Sequence, residues 1–171
     1  FLMVFLLQHF VINLTSVFNA DGFNAISHFM GTNPLIQFAI QPILMFAVVF
    51  HFAMGFVLEA KNRAARPQKY EVYNGAANAT WMSRNMIYSG LFILVFLVIH
   101  MIDFWLPEMN YKYVQCNPED PTRYYEELVH KFEPIWRVAL YVIGFVFLSL
   151  HLLHGFQSAF QSIGARHPKY T

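Results

Sequence analysis

Apolar and polar positions are sharply segregated along this chain, into four long apolar runs joined by shorter polar connections. The first run, Phe1 to Phe18, ends at Asn19-Ala20-Asp21-Gly22, a cluster of turn-forming residues. The second extends from about Pro34 to Glu59, and Asn33-Pro34 predicts its start, with Asn as cap and Pro at the first helical position. Pro42 lies inside that run and predicts a kink near its first turns. The third runs from about Ser83 to Leu106 and is expected to stop at Pro107. The fourth begins at Glu133-Pro134 and ends at about Gly164, ahead of Pro168. A helix rises 1.5 Å per residue, so about 20 residues cross a bilayer core. The later three runs reach that length, and the first is marginal at 18. Pro121 to Phe132 is amphipathic and predicts a short helix lying on the membrane surface.

The expected fold is therefore all-α, an integral membrane helix bundle forming one domain over residues 1–171. Its spans are expected at about 1–18, 34–59, 83–106 and 134–164, with a surface helix at about 121–132. Composition agrees. Charged residues make up 12% of the chain, about half the share in soluble domains, and Phe alone occurs 19 times. A net charge of +1 gives no support for nucleic-acid binding. The single cysteine, Cys116, excludes an intrachain disulfide or a thiolate cluster and reads as an ordinary loop thiol. Both ends read as cut from a longer chain: it opens on Phe1 in mid-pattern and stops at Arg166-His167-Pro168-Lys169-Tyr170-Thr171.

Charge sets the direction. Lys61, Arg63, Arg66, Lys69 and Arg84 lie between the second and third spans, and Arg166 and Lys169 follow the fourth. The first connection has no Lys or Arg, and residues 107–133 carry Lys112, Arg123 and Lys131 among many carboxylates. The positive-inside rule puts residues 61–84 and the C-terminal tail in the cytoplasm.

Five of the eight histidines lie inside apolar runs: His9, His51, His100, His151 and His154. A polar ring in hydrocarbon is costly and needs a partner or a task. Taken singly, each reads as a hydrogen-bonded core residue. Depth changes that reading. His51 and His151 each lie 17 residues after a helix-starting proline, Pro34 or Pro134. That puts both roughly 25 Å from the outer face. His9 lies 10 residues before Asn19 and His100 lies 7 before Pro107, both roughly 10–15 Å in. Two imidazoles at one depth on different helices are what six-coordinate haem iron requires. Zinc would want three or four close ligands, and no Cys, Asp or Glu accompanies these positions. Asp103 is the nearest carboxylate and is expected at the outer interface. A proton relay through the four histidines is a competing reading that needs no layering.

His51 and His151 are each followed four residues later by a glycine, Gly55 or Gly155, which would let a flat macrocycle lie close to the helix. Gly144 falls on the same face as His151. Ordinary helix packing explains such glycines equally well. His28, His130 and His167 lie in connections, where a solvated role is expected.

Several fragments together resemble the single-chain, two-haem cytochrome b subunit of succinate dehydrogenase and fumarate reductase, the b558 type of Bacteroidetes-like bacteria. They are His9-Phe10-Val11-Ile12-Asn13 with Asp21-Gly22-Phe23-Asn24, then His51 with Gly55, then Ser83-Arg84 and Ser89-Gly90 before His100, and finally His151-Leu152-Leu153-His154-Gly155-Phe156-Gln157-Ser158. The resemblance covers nearly the whole chain. It implies that His9 and His100 bind an outer haem b, and His51 and His151 a cytoplasmic one, in agreement with the depth arithmetic. His154, three residues from His151, cannot ligate the same iron from one side and is expected to bond a propionate, a backbone carbonyl or a quinone. Arg84 and Arg137 are expected as propionate partners or, in the plainer reading, as headgroup anchors. The resemblance also implies a bacterial cytoplasmic membrane, a flavoprotein and an iron–sulfur subunit docked on the cytoplasmic face, and menaquinone as the lipid-soluble electron partner. Succinate oxidation would deliver electrons inward to outward, and fumarate reduction would reverse the flow. Two departures stand out. The family has a fifth membrane helix after the last ligand, and some members carry an acidic residue where this chain has Ser149. Other quinone-linked di-haem cytochromes put two ligands on each of two helices, which one ligand per helix argues against. A haem-free, proton-coupled membrane protein is the alternative from a different class.

Overall fold

The structure, a computed structural model, describes residues 1–65, 84–162 and 164. Among these the regular structure is all helical, and the fold is an all-α membrane helix bundle. The helices are α1 (Leu2–Phe18), α2 (Ala20–Thr32), α3 (Ile36–Ala64), α4 (Met86–Val114), α5 (Arg123–Lys131) and α6 (Ile135–Ser162). Helices α3, α4 and α6 are long and apolar enough to cross a membrane, and α1 is a shorter apolar helix. The chain is a multi-pass membrane protein. Large apolar side chains such as Phe38, Phe46 and Val49 lie on the outside of the spans. A water-soluble protein could not tolerate so much exposed apolar surface, whereas lipid solvates it.

Helix boundaries follow local chemistry. Asn33 caps α3 as expected, its side chain accepting from Leu35 N at 3.0 Å, with Pro34 at the first helical position. The amphipathic segment forms α5 within the expected limits. Lys61 and Arg63 occupy the last turn of α3, where cations complement the helix dipole, and Arg63 pairs with Glu59 at 2.7 Å. Arg66, Lys69, Ser83, Arg166, His167 and Lys169 lie outside the described residues.

Two expectations are corrected. Asn19-Ala20-Asp21-Gly22 is the start of α2 and not a turn: the Asn19 side chain accepts from Gly22 N at 2.9 Å, and Asp21 sits in the first turn. In addition, Pro107 does not end the third span. The helix widens to π geometry over Met101–Trp105, passes Pro107 and continues to Val114 through a second π segment, Asn110–Val114. A proline ring collides with the carbonyl four residues back and cannot donate to it. For Pro107 that carbonyl belongs to Asp103, inside the π segment. Pro42 repeats the device: its carbonyl four back belongs to Phe38, within the π segment Ile36–Ile40. The distortion expected near Pro42 thus takes the form of a π turn.

The chain divides into two compact units, each holding parts of the long helices. One comprises Phe1–Ala53 and Asp103–Val138, the other Met54–Ile102 and Ala139–Thr171. In the first, α2 packs against α1, α5 and the start of α3, with Phe23 buried. In the second, α4 and α6 meet through aromatic rings. Phe92 stacks on Phe147 at 4.5 Å, and Phe96 meets Tyr141 and Phe145 edge-on at 5.2 and 5.8 Å.

Candidate functional site

The four candidate ligands sit on four different helices, as the sequence arithmetic requires. His9, half-buried on α1, stacks on Phe5 at 5.5 Å, and its backbone carbonyl accepts from Asn13 Nδ2 at 2.8 Å. His51 is exposed on α3, edge-on to Phe52 at 5.9 Å. These two belong to the first unit. In the second unit, His100 lies between Phe96 and Tyr141, with centroids 6.2 Å from each. It is the last residue before the π segment of α4. His151 on α6 has its Nδ1 3.3 Å from the Ser89 hydroxyl on α4. His154 is half-buried one turn further along. The pairing of His9 with His100 and of His51 with His151 rests on depth along the helices. Among the described residues, no three His, Cys, Asp or Glu side chains converge as a metal-ion site.

The glycines separate into two kinds. Among the described residues, a Cβ on Gly55 or on Gly155 would meet nothing within 4 Å. A Cβ on Gly144 would overlap the Phe96 ring. Gly144 is therefore a packing glycine, the second of the two readings its position allowed. Ser89 and Gly90, on α4, lie close to His151. A Cβ on Gly90 would lie 3.8 Å from His151 Cε1, so the Ser-Gly pair sits against that ring. A small polar residue beside glycine in an apolar run was the available signal.

Polar residues of the first unit form a cluster that the sequence did not reveal. Glu108 pairs with Lys112 at 2.6 Å and with Arg123, which also forks onto Glu127 at 2.8 and 2.9 Å. The Arg123 guanidinium lies over the Tyr111 and Tyr124 rings at 4.0 and 4.5 Å. Burial opposes its charge, but the hydrogen bonds to Glu108 and Glu127 outweigh that and raise its pKa further. Burial likewise raises the Tyr124 phenol above its ordinary value. Lys112 Nζ and Gln37 Nε2 both donate to the Gly31 carbonyl, and the Asn24 side chain accepts from Tyr125 N at 2.8 Å. His28, expected to be a solvated loop residue, instead sits in α2 beside Tyr124, with its side chain 26% exposed and 3.7 Å from Glu119. Packing of α2 on α5 creates that environment. His130 is exposed as expected.

Asp103, expected at the outer interface, is buried against Arg137 and Lys131, which arrive from the far end of the following connection. Arg137 further donates to the Lys131 carbonyl at 3.2 Å and lies 4.8 Å from the Trp136 ring. Its partner is a carboxylate, the same chemical group that a propionate presents. Arg84 is half-buried just before α4. No protein-family model, curated protein or solved structure matches the chain.

Proposed function

We propose that this chain is the di-haem cytochrome b anchor subunit of a succinate dehydrogenase or fumarate reductase. In this reading it carries electrons between an iron–sulfur subunit and menaquinone in a bacterial cytoplasmic membrane. The observation that carries the reading is the contrast among the glycines. Among the described residues nothing lies beside Gly55 or Gly155, each one turn after a candidate ligand, whereas Gly144 is packed by Phe96. Helix packing uses glycine to bring helices together and so fills the space beside it. A flat macrocycle held by the neighbouring histidine needs that space left open.

His9 and His100 would hold the outer haem, and His51 and His151 the cytoplasmic one. Bis-imidazole haems supply one-electron transfer with no open iron position when bound. The remaining work belongs to the chain. Phe92, Phe96 and Phe147 exclude water around the His100 and His151 segments, keeping the local dielectric low. Arg137 and Lys131, already collected on a carboxylate, supply cationic donors suited to propionates, as does Arg84. His154 has a ring available for a propionate, a carbonyl or a quinone. The flavoprotein and iron–sulfur subunits would dock on the face that carries Lys61 and Arg63.

A reduced-minus-oxidised spectrum of the purified protein tests the reading. Bands of b-type haem, at two haems per chain, are expected, and a spectrum without them overturns it. Redox titration of the whole complex with succinate and with menaquinol as donors then tests the partners. Failure of both donors to reduce the haems would remove the assignment to this enzyme class.

A further inference from the structure

We infer that Ser89 is a positioning residue for His151: it accepts the ring's Nδ1–H, places the lone pair on Nε2, and so tunes the group that His151 ligates. The inference rests on the haem reading above and adds a residue to it.

The argument is one of proton counting. Ser89 Oγ lies 2.9 Å from the Met86 carbonyl, one turn back in α4, and 3.3 Å from His151 Nδ1. A hydroxyl has one hydrogen, and a carbonyl can only accept. The shorter contact commits that hydrogen to Met86. Toward His151 the hydroxyl then presents lone pairs alone, so Nδ1 must be the donor. A neutral imidazole carries one N–H, which puts the acceptor lone pair on Nε2, the nitrogen that would face a metal. Gly90 completes the seat, since a Cβ there would reach Cε1, the carbon between the two nitrogens, at an ordinary contact distance of 3.8 Å.

Metal-bound imidazoles commonly donate their second N–H to such a partner, which fixes the ring and raises its basicity. A more basic ligand favours ferric over ferrous iron and lowers the midpoint potential. Ser89 would therefore make the cytoplasmic haem harder to reduce than it would be without the hydroxyl.

Redox titration of the haems in the whole complex, comparing the unmutated chain with Ser89→Thr and Ser89→Val, tests this. Thr and Val have nearly equal volume and differ in the hydroxyl. Ser89→Val is expected to move the midpoint of one haem positive and leave the other in place. It should also weaken retention of that haem by about 10–100-fold. Ser89→Thr should stay close to the unmutated chain in both respects. If Ser89→Val does not assemble, Ser89→Ala replaces it in the same comparison. Unchanged midpoints in the variant without the hydroxyl overturn the role of Ser89 while leaving the haem reading standing. Equal shifts of both haems, or a Thr variant that behaves like Val, overturn it as well. An unmutated complex without b-type bands overturns the proposed function and this inference together.

Discussion

The Asp103 carboxylate lies 3.5 Å from the Arg137 guanidinium and 3.8 Å from the Lys131 ammonium, with 6% of its side chain exposed. One buried anion thus holds two cations from the other end of the 107–133 connection, tying the start of α6 to α4. Removing the anion leaves two cations facing each other across its place.

Asp103→Asn is therefore expected to destabilise the protein by about 1–3 kcal/mol. The estimate stays below that for a fully buried pair because Arg137 and Lys131 remain 22% and 28% exposed, where water screens them. Adding Arg137→Gln should cost less than the sum of the two single changes. Unfolding in detergent micelles measures the cycle, and strict additivity would show that the two residues are not coupled.

The glycines predict opposite outcomes for one chemical change. Gly144→Ala places a methyl group inside the Phe96 ring and should cost about 1–3 kcal/mol of stability. Gly55→Ala and Gly155→Ala meet no neighbour and should be neutral, or gain up to about 1 kcal/mol from helix propensity. On the proposed function these two variants nevertheless lose haem. Haem content of the assembled protein, together with thermal stability of the haem-free chain, checks all three, and destabilisation of the haem-free chain by Gly55→Ala would contradict the open face.

His51→Ala and His151→Ala should each remove the same haem and leave the other. Quantitative haem assay with redox titration reads the outcome. Loss of both haems, or of neither, counts against the pairing.

Asp120 gives a pH dependence outside the membrane spans. Hydrogen bonds from the Thr122 backbone N–H and from its hydroxyl, at 2.8 and 2.7 Å, hold its carboxyl below the ordinary value. A depressed folded pKa stabilises at pH above the unfolded value and loses that contribution as pH falls through the folded one. The stability difference between the unmutated chain and Asp120→Asn should thus be flat above about pH 5 and vanish in the acid range. A difference that grows on acidification would reverse the assignment.

Cys116 has φ of +51°, the left-handed conformation in which side chains are strained, just beyond the end of α4. Cys116→Gly should relieve this and stabilise the helix end by about 1 kcal/mol. Cys116→Ala, which keeps the Cβ, should not. Equal effects of the two would place the gain elsewhere.

Much of the architecture was legible from local pattern. Apolar runs of membrane length, the Asn33-Pro34 start and the amphipathic α5 all depend on neighbours within a turn or two, and all appear where expected. Prolines were less legible. Pro34 starts a helix, whereas Pro42 and Pro107 pass through one, because a π turn can absorb the missing donor and the ring. The same ambiguity hid α2: Asn and Gly serve a turn or a cap alike until the chain beyond them finds something to pack on.

Hydropathy along a single helix is a local property, so the sequence by itself determined the membrane class and where the apolar helices lie. Tertiary structure decided what the residues on those helices meet. It buried Asp103 under Arg137 and Lys131, filled Gly144 with Phe96 while leaving Gly55 and Gly155 open, and set Ser89 against His151. The contacts of Asp103, Gly144 and Ser89 each join residues 28 or more positions apart. A one-dimensional period carries no information about which distant side chain arrives.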